Sequence, residues 1–171
     1  MGIPATKTSF GYHFAQVAWV VKDVQRSEKY FQEVMGIQNF ARLENLNAKE
    51  LEGTYEGKSA DFVFHLYLGY SGGTMIELIQ PVSGHSMYQD FLDKHPEGGI
   101  QHIAYLLPVA DLDRAIDEMA GRGYGVLSSL NLPVAKVAYF DTYKDIGVAT
   151  EIIGATQAGF DLIDQLKSAA V

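Results

Sequence analysis

The sequence predicts an α+β fold in which one module, a strand and a helix followed by three more strands, occurs twice. Residues 16–21 and 102–107 share one order of residue types, which is polar, branched, alanine, aromatic and two aliphatics. Residues 73–79 and 147–153 each place a glycine four positions before a glutamate inside an apolar run. A chain of 171 residues buries roughly 70% of its unfolded surface, so we expect one domain.

The first module, residues 12–82, is predicted to open with a strand and a helix. Residues 14–22 form a continuous β-branched and aromatic run, which is typical of a strand buried on both faces. Asp23 is a suitable N-cap for a helix over 24–35, and Gly36 occupies the position of a left-handed C-terminal cap.

Three further strands complete the first module. We expect the first near residues 37–43, followed by an irregular segment. Residues 61–70 and 74–80 have the composition of two strands, and the serine and two glycines at 71–73 predict the hairpin turn between them. A short helix over 86–94, with apolar residues at helical offsets, is expected to link the two modules.

The second module, residues 98–155, repeats this order. A strand at 100–107 precedes a helix for which Asp111 is the predicted N-cap, and the glycines at 121–125 are expected to end that helix. Three short strands follow, near residues 125–127, 134–140 and 147–153. The remaining tail, residues 156–171, is predicted to form a helix over 156–169 that packs on the outside of the repeat.

Composition excludes several kinds of site and partner. The chain has no cysteine, so disulfides, thiolate metal sites and cysteine nucleophiles are excluded. A net charge of −8 without a basic cluster argues against a nucleic acid or an anionic membrane as a partner. Residues 1–11 have no apolar core of signal-peptide length, and no apolar run approaches the ~20 residues of a membrane span. We therefore expect a cytoplasmic protein.

Four polar residues lie at matching positions within the apolar strands: Gln16, Glu77, His102 and Glu151. A carboxylate in a buried strand is costly unless it is neutralised, paired or bound to a metal. If the modules pair about a pseudo-twofold axis, the four side chains converge between them. One imidazole, one amide oxygen and two carboxylates suit a single six-coordinate divalent ion (Zn, Ni, Co, Mn or Mg) with about two positions open.

Alternative roles exist for these residues and for the other histidines. The glutamates could form ion pairs with lysines at positions 22, 136 or 144. His65 lies in a strand that is apolar on both faces, which favours a buried structural role. His13 is expected to face away from Gln16, and the turn or helix-end contexts of His85 and His95 favour solvation.

Several motifs, taken in order, resemble those of the vicinal oxygen chelate superfamily (glyoxalase, bleomycin resistance protein, dioxygenase). The resemblance covers about residues 14–153 and rests on the segments 16–18, 22–23, 77–81, 99–104, 111–113 and 151–153. It implies an α+β fold of two tandem βαβββ modules that form curled mixed sheets around a metal cavity, to which this chain adds a C-terminal helix. Superfamily members act on small molecules, and many are homodimers.

Two branches of the superfamily share features with the chain. The ligand set Gln, Glu, His, Glu resembles that of glyoxalase I, and residues 77–113 resemble methylmalonyl-CoA epimerase. Epimerases usually have His where this chain has Gln16 and Gln where it has Glu77, and no segment matches a glutathione site. Both branches stabilise an enolate or enediolate on a divalent metal ion.

The resemblance implies a metal-dependent epimerase or isomerase with Glu151 as the catalytic base and Glu77 as its partner on the opposite face. The alternatives are a lyase of the glyoxalase I type acting on a glutathione hemithioacetal, a metal-free drug-binding protein and an extradiol dioxygenase. Epimerases also use a glutamate ahead of the first hairpin, and the candidates in this chain are Glu44, Glu50, Glu52 and Glu56.

Overall fold

The computed structural model describes residues 12–169 of the chain. The predicted lack of a signal sequence concerns residues 1–11, which lie outside this range, as do the last two residues of the predicted tail. The strands of the described part are β1 His13–Val20, β2 Ala41–Asn47, β3 Thr54–Tyr55, β4 Lys58–Ser59, β5 Val63–Ser71, β6 Thr74–Ser83, β7 Gly99–Pro108, β8 Val126–Leu132, β9 Ala135–Phe140 and β10 Ala149–Ala155. The helices are α1 Val24–Glu33, α2 Met87–Lys94, α3 Leu112–Gly121, α4 Tyr143–Ile146 and α5 Gln157–Ala169.

All described strands join one mixed sheet in the order β2-β5-β6-β1-β7-β10-β9-β8-β3-β4. β1 and β7 are antiparallel at the centre, while β6 runs parallel to β1 and β10 runs parallel to β7. The order β2-β5-β6-β1 is therefore mirrored by β8-β9-β10-β7, as expected for modules related by a twofold axis between β1 and β7. This topology confirms the predicted fold of two tandem βαβββ modules with a C-terminal helix.

Helices α1 and α3 occupy equivalent places on the outer face of the sheet. α1 lies against a cluster that includes Tyr67, Ile76 and Leu78. α3 lies against a second cluster that includes Leu107 and Ile152. The outer face of each module is thus covered by its own helix, and the inner face is left to form the interior shared by both modules.

Residues 48–60, which we call the strap, connect the two ends of the sheet. β2 lies at one end of the first module, and β3 pairs with β8 at the far end of the second. The seven residue steps from Asn47 to Thr54 span at most about 25 Å when fully extended. The two ends must therefore lie close together, so the sheet curls into a nearly closed form.

The strap is fastened to β8 by backbone and side-chain hydrogen bonds. The Thr54 carbonyl accepts a hydrogen bond from the Ser128 hydroxyl at 2.7 Å, and the Thr54 and Ser129 hydroxyl oxygens lie 2.7 Å apart. Between β3 and β4, Glu56 and Gly57 both have positive φ, the conformation that a two-residue hairpin turn requires. The strap is therefore an ordered closure of the sheet.

An apolar cluster, which we call the inner cluster, fills the space between the strap, α2 and the inner face of both modules. Its buried members are Val20, Ala48, Tyr55, Ala60, Phe62, Phe64, Leu66, Ile79, Met87, Tyr88, Phe91, Leu130, Val137 and Tyr139. Both modules, the strap and the linking helix contribute to it. It is the core that holds the two halves together.

Both predicted aspartates occupy N-cap positions, but only Asp23 makes a capping hydrogen bond. Asp23 has extended backbone angles, and its carboxylate accepts a hydrogen bond from the Arg26 N–H at 2.9 Å. Asp111 has helical angles and makes no such bond, because the 3₁₀ turn Val109–Asp111 leads directly into α3. Its carboxylate lies instead 3.7 Å from the Arg114 guanidinium.

Several predicted boundaries are wrong. The second strand covers Ala41–Asn47 rather than 37–43, and α1 ends at Glu33 rather than at residue 35. Strand β1 alternates between buried and partly exposed residues, so it is not buried on both faces. The strap pairing and α4 were not predicted, since two-residue strands and single helical turns carry too little periodicity to detect. No described helix has the length and apolar character that crossing a membrane would need.

We predict that a disulfide between strap and sheet stabilises the fold. The substitutions Thr54→Cys and Ser129→Cys replace hydroxyls that lie 2.7 Å apart, in a chain without native cysteine. Closing so long a loop should stabilise the folded state by about 4 kcal/mol and raise Tm by about 10 °C. Calorimetry measures the Tm of the oxidised double variant, and the reduced form of the same variant is the control. Equal Tm values in both forms would show that the strap is not fastened at this pair.

Candidate metal centre

Four adjacent strands carry the four predicted residues. Glu77 lies on β6, Gln16 on β1, His102 on β7 and Glu151 on β10, all pointing to the inner face. In the strand register, the positions directly opposite them include Ala18, Ala104 and Ala149. These alanines are fully buried. Because a methyl group is the largest neighbour at these positions, the four long side chains can meet above the sheet.

Polar atoms of Gln16 and His102 lie within hydrogen-bond distance of both glutamates and of each other. Gln16 Nε2 donates to Glu77 Oε2 at 2.9 Å and to Glu151 Oε2 at 3.1 Å. His102 Nε2 lies 3.0 Å from Glu77 Oε2, 3.1 Å from Glu151 Oε2 and 3.3 Å from Gln16 Nε2. The structure thus brings together residues that are up to 135 positions apart in the sequence.

The group is almost completely enclosed. The exposed fractions are 1% for Gln16, 5% for Glu77, 0% for His102 and 2% for Glu151. Surface cavities of about 860 and 440 Å³ are lined by other residues. The four polar side chains therefore interact with one another in a low-dielectric interior, where an unpaired charge would cost several kcal/mol.

Burial and mutual contact shift the proton equilibria of the group. Burial lowers the pKa of His102, but hydrogen bonds and charge interactions with Glu151 and Glu77 outweigh it and raise that pKa to about 9. The pKa of Glu77 is raised, first by burial and then by the negative charge of Glu151, against the opposing effect of His102. The metal-free group therefore holds a proton on the imidazole at neutral pH.

The residues present fit a divalent ion. Glu77, His102 and Glu151 form a group able to hold one, with ligand atoms within 4.8 Å of each other. Donors at adjacent positions around an ion with 2.1 Å bonds lie about 3.0 Å apart. The distances from His102 Nε2 to Glu77 Oε2 and Glu151 Oε2, 3.0 and 3.1 Å, match this value, and rotation of the Gln16 amide would present its oxygen as a fourth donor.

Two tyrosines that the sequence analysis did not identify lie beside the group. The Tyr139 ring packs edge-on against the His102 ring at 5.2 Å, and the Tyr139 and Tyr88 hydroxyls lie 3.0 Å apart. Burial, and then the charges of Glu77 and Glu151, raise the pKa of both tyrosines well above its usual value. Tyr139 faces Glu151 in the strand register, a relation that a sequence cannot reveal before the strand pairing is known.

The four additional glutamates lie outside the group. Glu44, Glu50, Glu52 and Glu56 are all exposed. The Glu44 carboxylate accepts a hydrogen bond from the Tyr67 hydroxyl at 2.5 Å, and Glu52 accepts one from the Asn131 amide at 2.6 Å. In this structure none of the four reaches the interior.

The lysines and the other histidines of the described part lie outside the group of four. Lys22 pairs with Glu97 at 3.5 Å, and the site glutamates pair with His102 rather than with a lysine. His65 is half-buried rather than buried, and its Nδ1 accepts a hydrogen bond from the Asn45 N–H at 3.0 Å. His13, which was predicted to face away from Gln16, is exposed, and so are His85 and His95, which were predicted to be solvated.

Comparison with known proteins identifies the family. A sequence model of the glyoxalase/bleomycin resistance protein/dioxygenase superfamily matches residues 15–139. A search of curated protein sequences gave no match.

Solved structures share the fold at low sequence identity. A hypothetical protein from Bacillus halodurans is 17% identical, with a TM-score of 0.62 over 85% of this chain and 96% of its own. Methylmalonyl-CoA epimerase from Mycobacterium tuberculosis is 16% identical, with a TM-score of 0.61 over 92% and 95%. A variant of Streptomyces coelicolor methylmalonyl-CoA epimerase, bound to 2-nitronate-propionyl-CoA, is 19% identical, with a TM-score of 0.60 over 85% and 95%.

The family match covers most of the chain, and the fold of two βαβββ modules agrees with it. The chain belongs to the glyoxalase/bleomycin resistance protein/dioxygenase superfamily.

Proposed function

We propose that the protein is a divalent-metal-dependent enzyme that moves a proton at a carbon beside a carbonyl, in the manner of an epimerase or isomerase. The observation that supports the proposal is that Gln16, Glu77, His102 and Glu151 meet in a buried interior. The contacts between their polar atoms are 2.9–3.3 Å long. The fold shared with methylmalonyl-CoA epimerases also supports the proposal.

The donor set suits a substrate that binds through two oxygens. Glu77, His102 and Glu151, with the Gln16 amide oxygen as a fourth donor, would hold the divalent ion, and a six-coordinate ion would keep about two positions for the substrate. Substrates with two neighbouring oxygens include a 2-oxo acid, a hemithioacetal and the malonyl part of an acyl-thioester.

The two glutamates provide the proton transfer. Glu151 takes the proton from the carbon as the C–H bond breaks, and the electron pair moves into an enolate. Glu77, on the opposite side of the group, returns a proton to the other face and so inverts the centre. A bound divalent ion would stabilise the negative charge on the enolate oxygen.

An isomerisation of the glyoxalase I type is the second candidate. It is favoured by Gln16 and Glu77, which complete a ligand set of Gln, Glu, His and Glu. In this reaction the same two glutamates return the proton to the neighbouring carbon.

An extradiol dioxygenase receives less support, because its iron site uses two histidines and His102 is the only histidine of the described part within the group. A metal-free binding protein receives less support, because it gives no chemical role to the two buried carboxylates.

Substrate access requires movement of the strap and the inner cluster. Phe62 packs edge-on against Tyr88 at 5.9 Å, and Tyr88 packs against Tyr139 at 6.3 Å, so aromatic rings fill the space between the strap and His102.

We predict that the purified protein binds one divalent ion per chain. Glu151→Ala and His102→Ala each remove one donor and should weaken Co²⁺ or Zn²⁺ binding by at least tenfold. Glu28→Ala is the matched control, because Glu28 is equally buried but pairs with Arg42 at 2.8 Å on the outside of the module. Titration calorimetry measures stoichiometry and Kd. A wild-type protein that binds no divalent ion would contradict the proposed function.

We predict that metal uptake releases a proton. The pKa of His102 is about 9 in the metal-free protein, so below pH 9 the ion must displace the Nε2 proton. Affinity should therefore rise about tenfold per pH unit from pH 6 to 8. Calorimetry in two buffers of different ionisation enthalpy counts the protons released. No proton release, or an affinity independent of pH, would show that His102 is not a ligand.

We predict that the metal-loaded protein exchanges a carbon-bound proton of its substrate with solvent deuterium. Acyl-CoA thioesters, 2-oxo acids and glutathione hemithioacetals form the test panel, and mass spectrometry detects the exchange. Glu151→Gln should retain the metal through the amide oxygen yet slow exchange by at least about 10². Glu97→Gln, a surface change, is the control. Unchanged exchange in Glu151→Gln would eliminate Glu151 as the base.

A further inference from the structure

We propose that Gln101 and Tyr143 are positioning residues that hold a proton on Nδ1 of His102, so that Nε2 of His102 faces the metal position. This inference rests on the proposed metal-dependent function and deepens it. Neither residue touches the metal position or the reacting atoms, and both act through the orientation and protonation of His102.

The first support is a continuous chain of short hydrogen bonds. His102 Nδ1 lies 2.6 Å from Gln101 Oε1, and Gln101 Nε2 donates to the Tyr143 hydroxyl oxygen at 2.6 Å. A carbonyl oxygen can only accept, so His102 Nδ1 must carry the proton of that bond. The remaining ring nitrogen is then the one that points at Glu77 and Glu151.

The second support is a backbone irregularity at Gln101. In the pairing of β1 with β7, Ala18 faces His102 and Trp19 faces Ile100, which leaves Gln101 as the extra residue of a β-bulge. Consecutive strand residues normally face opposite sides of a sheet, but a bulge re-aims one of them. Here Gln101 and His102 are both fully buried, and their side chains contact each other.

The orientation of the Gln101 amide determines what this contact does. If the amide were reversed, its nitrogen would donate to His102 Nδ1, and a neutral imidazole would then carry its proton on Nε2, where the metal binds. In the observed orientation Tyr143 accepts from the amide nitrogen, so both ends of the Gln101 amide have a partner while Nδ1 of His102 keeps its proton. Burial, and the charges of Asp141 and Asp90, raise the pKa of Tyr143 against the opposing hydrogen bond from Gln101, so its hydroxyl remains protonated.

Tyr143 is held in place by the segment that leads into β10. It begins α4, whose C-cap Gly147 has a φ of 78°, a conformation that favours glycine. Before it, the Thr142 hydroxyl donates to the Val148 carbonyl at 2.7 Å. The strand that follows carries Glu151, so the same short segment places both the tyrosine and one of the carboxylates.

Substitutions at Gln101 separate a positioning role from simple packing. Gln101→Leu keeps the volume but removes the acceptor, and should weaken Co²⁺ binding by about 10–100-fold. Gln101→Glu keeps an acceptor for Nδ1–H and should retain the affinity within about threefold. Packing alone predicts the reverse order, since a fully buried position tolerates leucine better than a carboxylate.

Tyr143→Phe tests the second bond of the chain. It should weaken Co²⁺ binding by about tenfold and alter the visible spectrum of the Co²⁺ complex. The matched control is Tyr124→Phe, which removes a hydroxyl that also bonds to α4, at Asp145 with 2.9 Å, but has no link to His102. Equal affinity and spectra for Tyr143→Phe and wild type would overturn the role of Tyr143.

A measurement on the metal-free protein makes the inference independent of metal binding. ¹⁵N-edited NMR should show a proton on His102 Nδ1 that exchanges slowly with water in the wild type, and at least tenfold faster in Gln101→Leu and Tyr143→Phe. A wild type without a proton on Nδ1 overturns the inference even if metal binds. A protected Nδ1 proton in a protein that binds no metal supports the hydrogen-bond chain and contradicts the proposed function instead.

Discussion

The structure depends on the mutual hydrogen bonding of two carboxylates, one imidazole and one amide in its interior. Glu77 and Glu151 are separated from water, and each would cost several kcal/mol if left alone. His102 and Gln16 provide the compensating hydrogen bonds from the other two strands. Each of the four strands supplies one member of the group. The group therefore forms only when β1 and β7 pair at the module interface, and its hydrogen bonds in turn stabilise that pairing.

The hydrogen bonds of this polar group also require that the interior be closed to water. Polar groups attract strongly only where water is excluded, and the inner cluster and the strap provide that exclusion. The second module joins β8 to β9 by a tight turn, whereas the first inserts the strap between β2 and β5. This departure from the repeat lets one module cover the open edge of the other, so the duplicated halves are not interchangeable.

The repeat pattern predicted most of the fold, since alternation and helical spacing are local properties of the chain. Asp23 marked the start of α1 through its own backbone preference, whereas Gly36 has the predicted positive φ but lies two residues beyond the C-cap, Val34. Asp111 lies at the N-cap of α3 as predicted, but it makes no capping hydrogen bond because the preceding 3₁₀ turn gives it helical backbone angles. The strap escaped prediction because its order comes from pairing with β8 rather than from its own sequence.

By itself, the sequence determined the duplicated strand and helix order and the placement of Gln16, Glu77, His102 and Glu151 at equivalent points of it, because a repeated pattern implies a repeated backbone. The tertiary structure decided which other residues reach that centre. Tyr139 and Gln101 join it through strand register and a bulge, and the exposed glutamates of the strap region do not. Register and closure arise from contacts between distant segments, which no local pattern encodes.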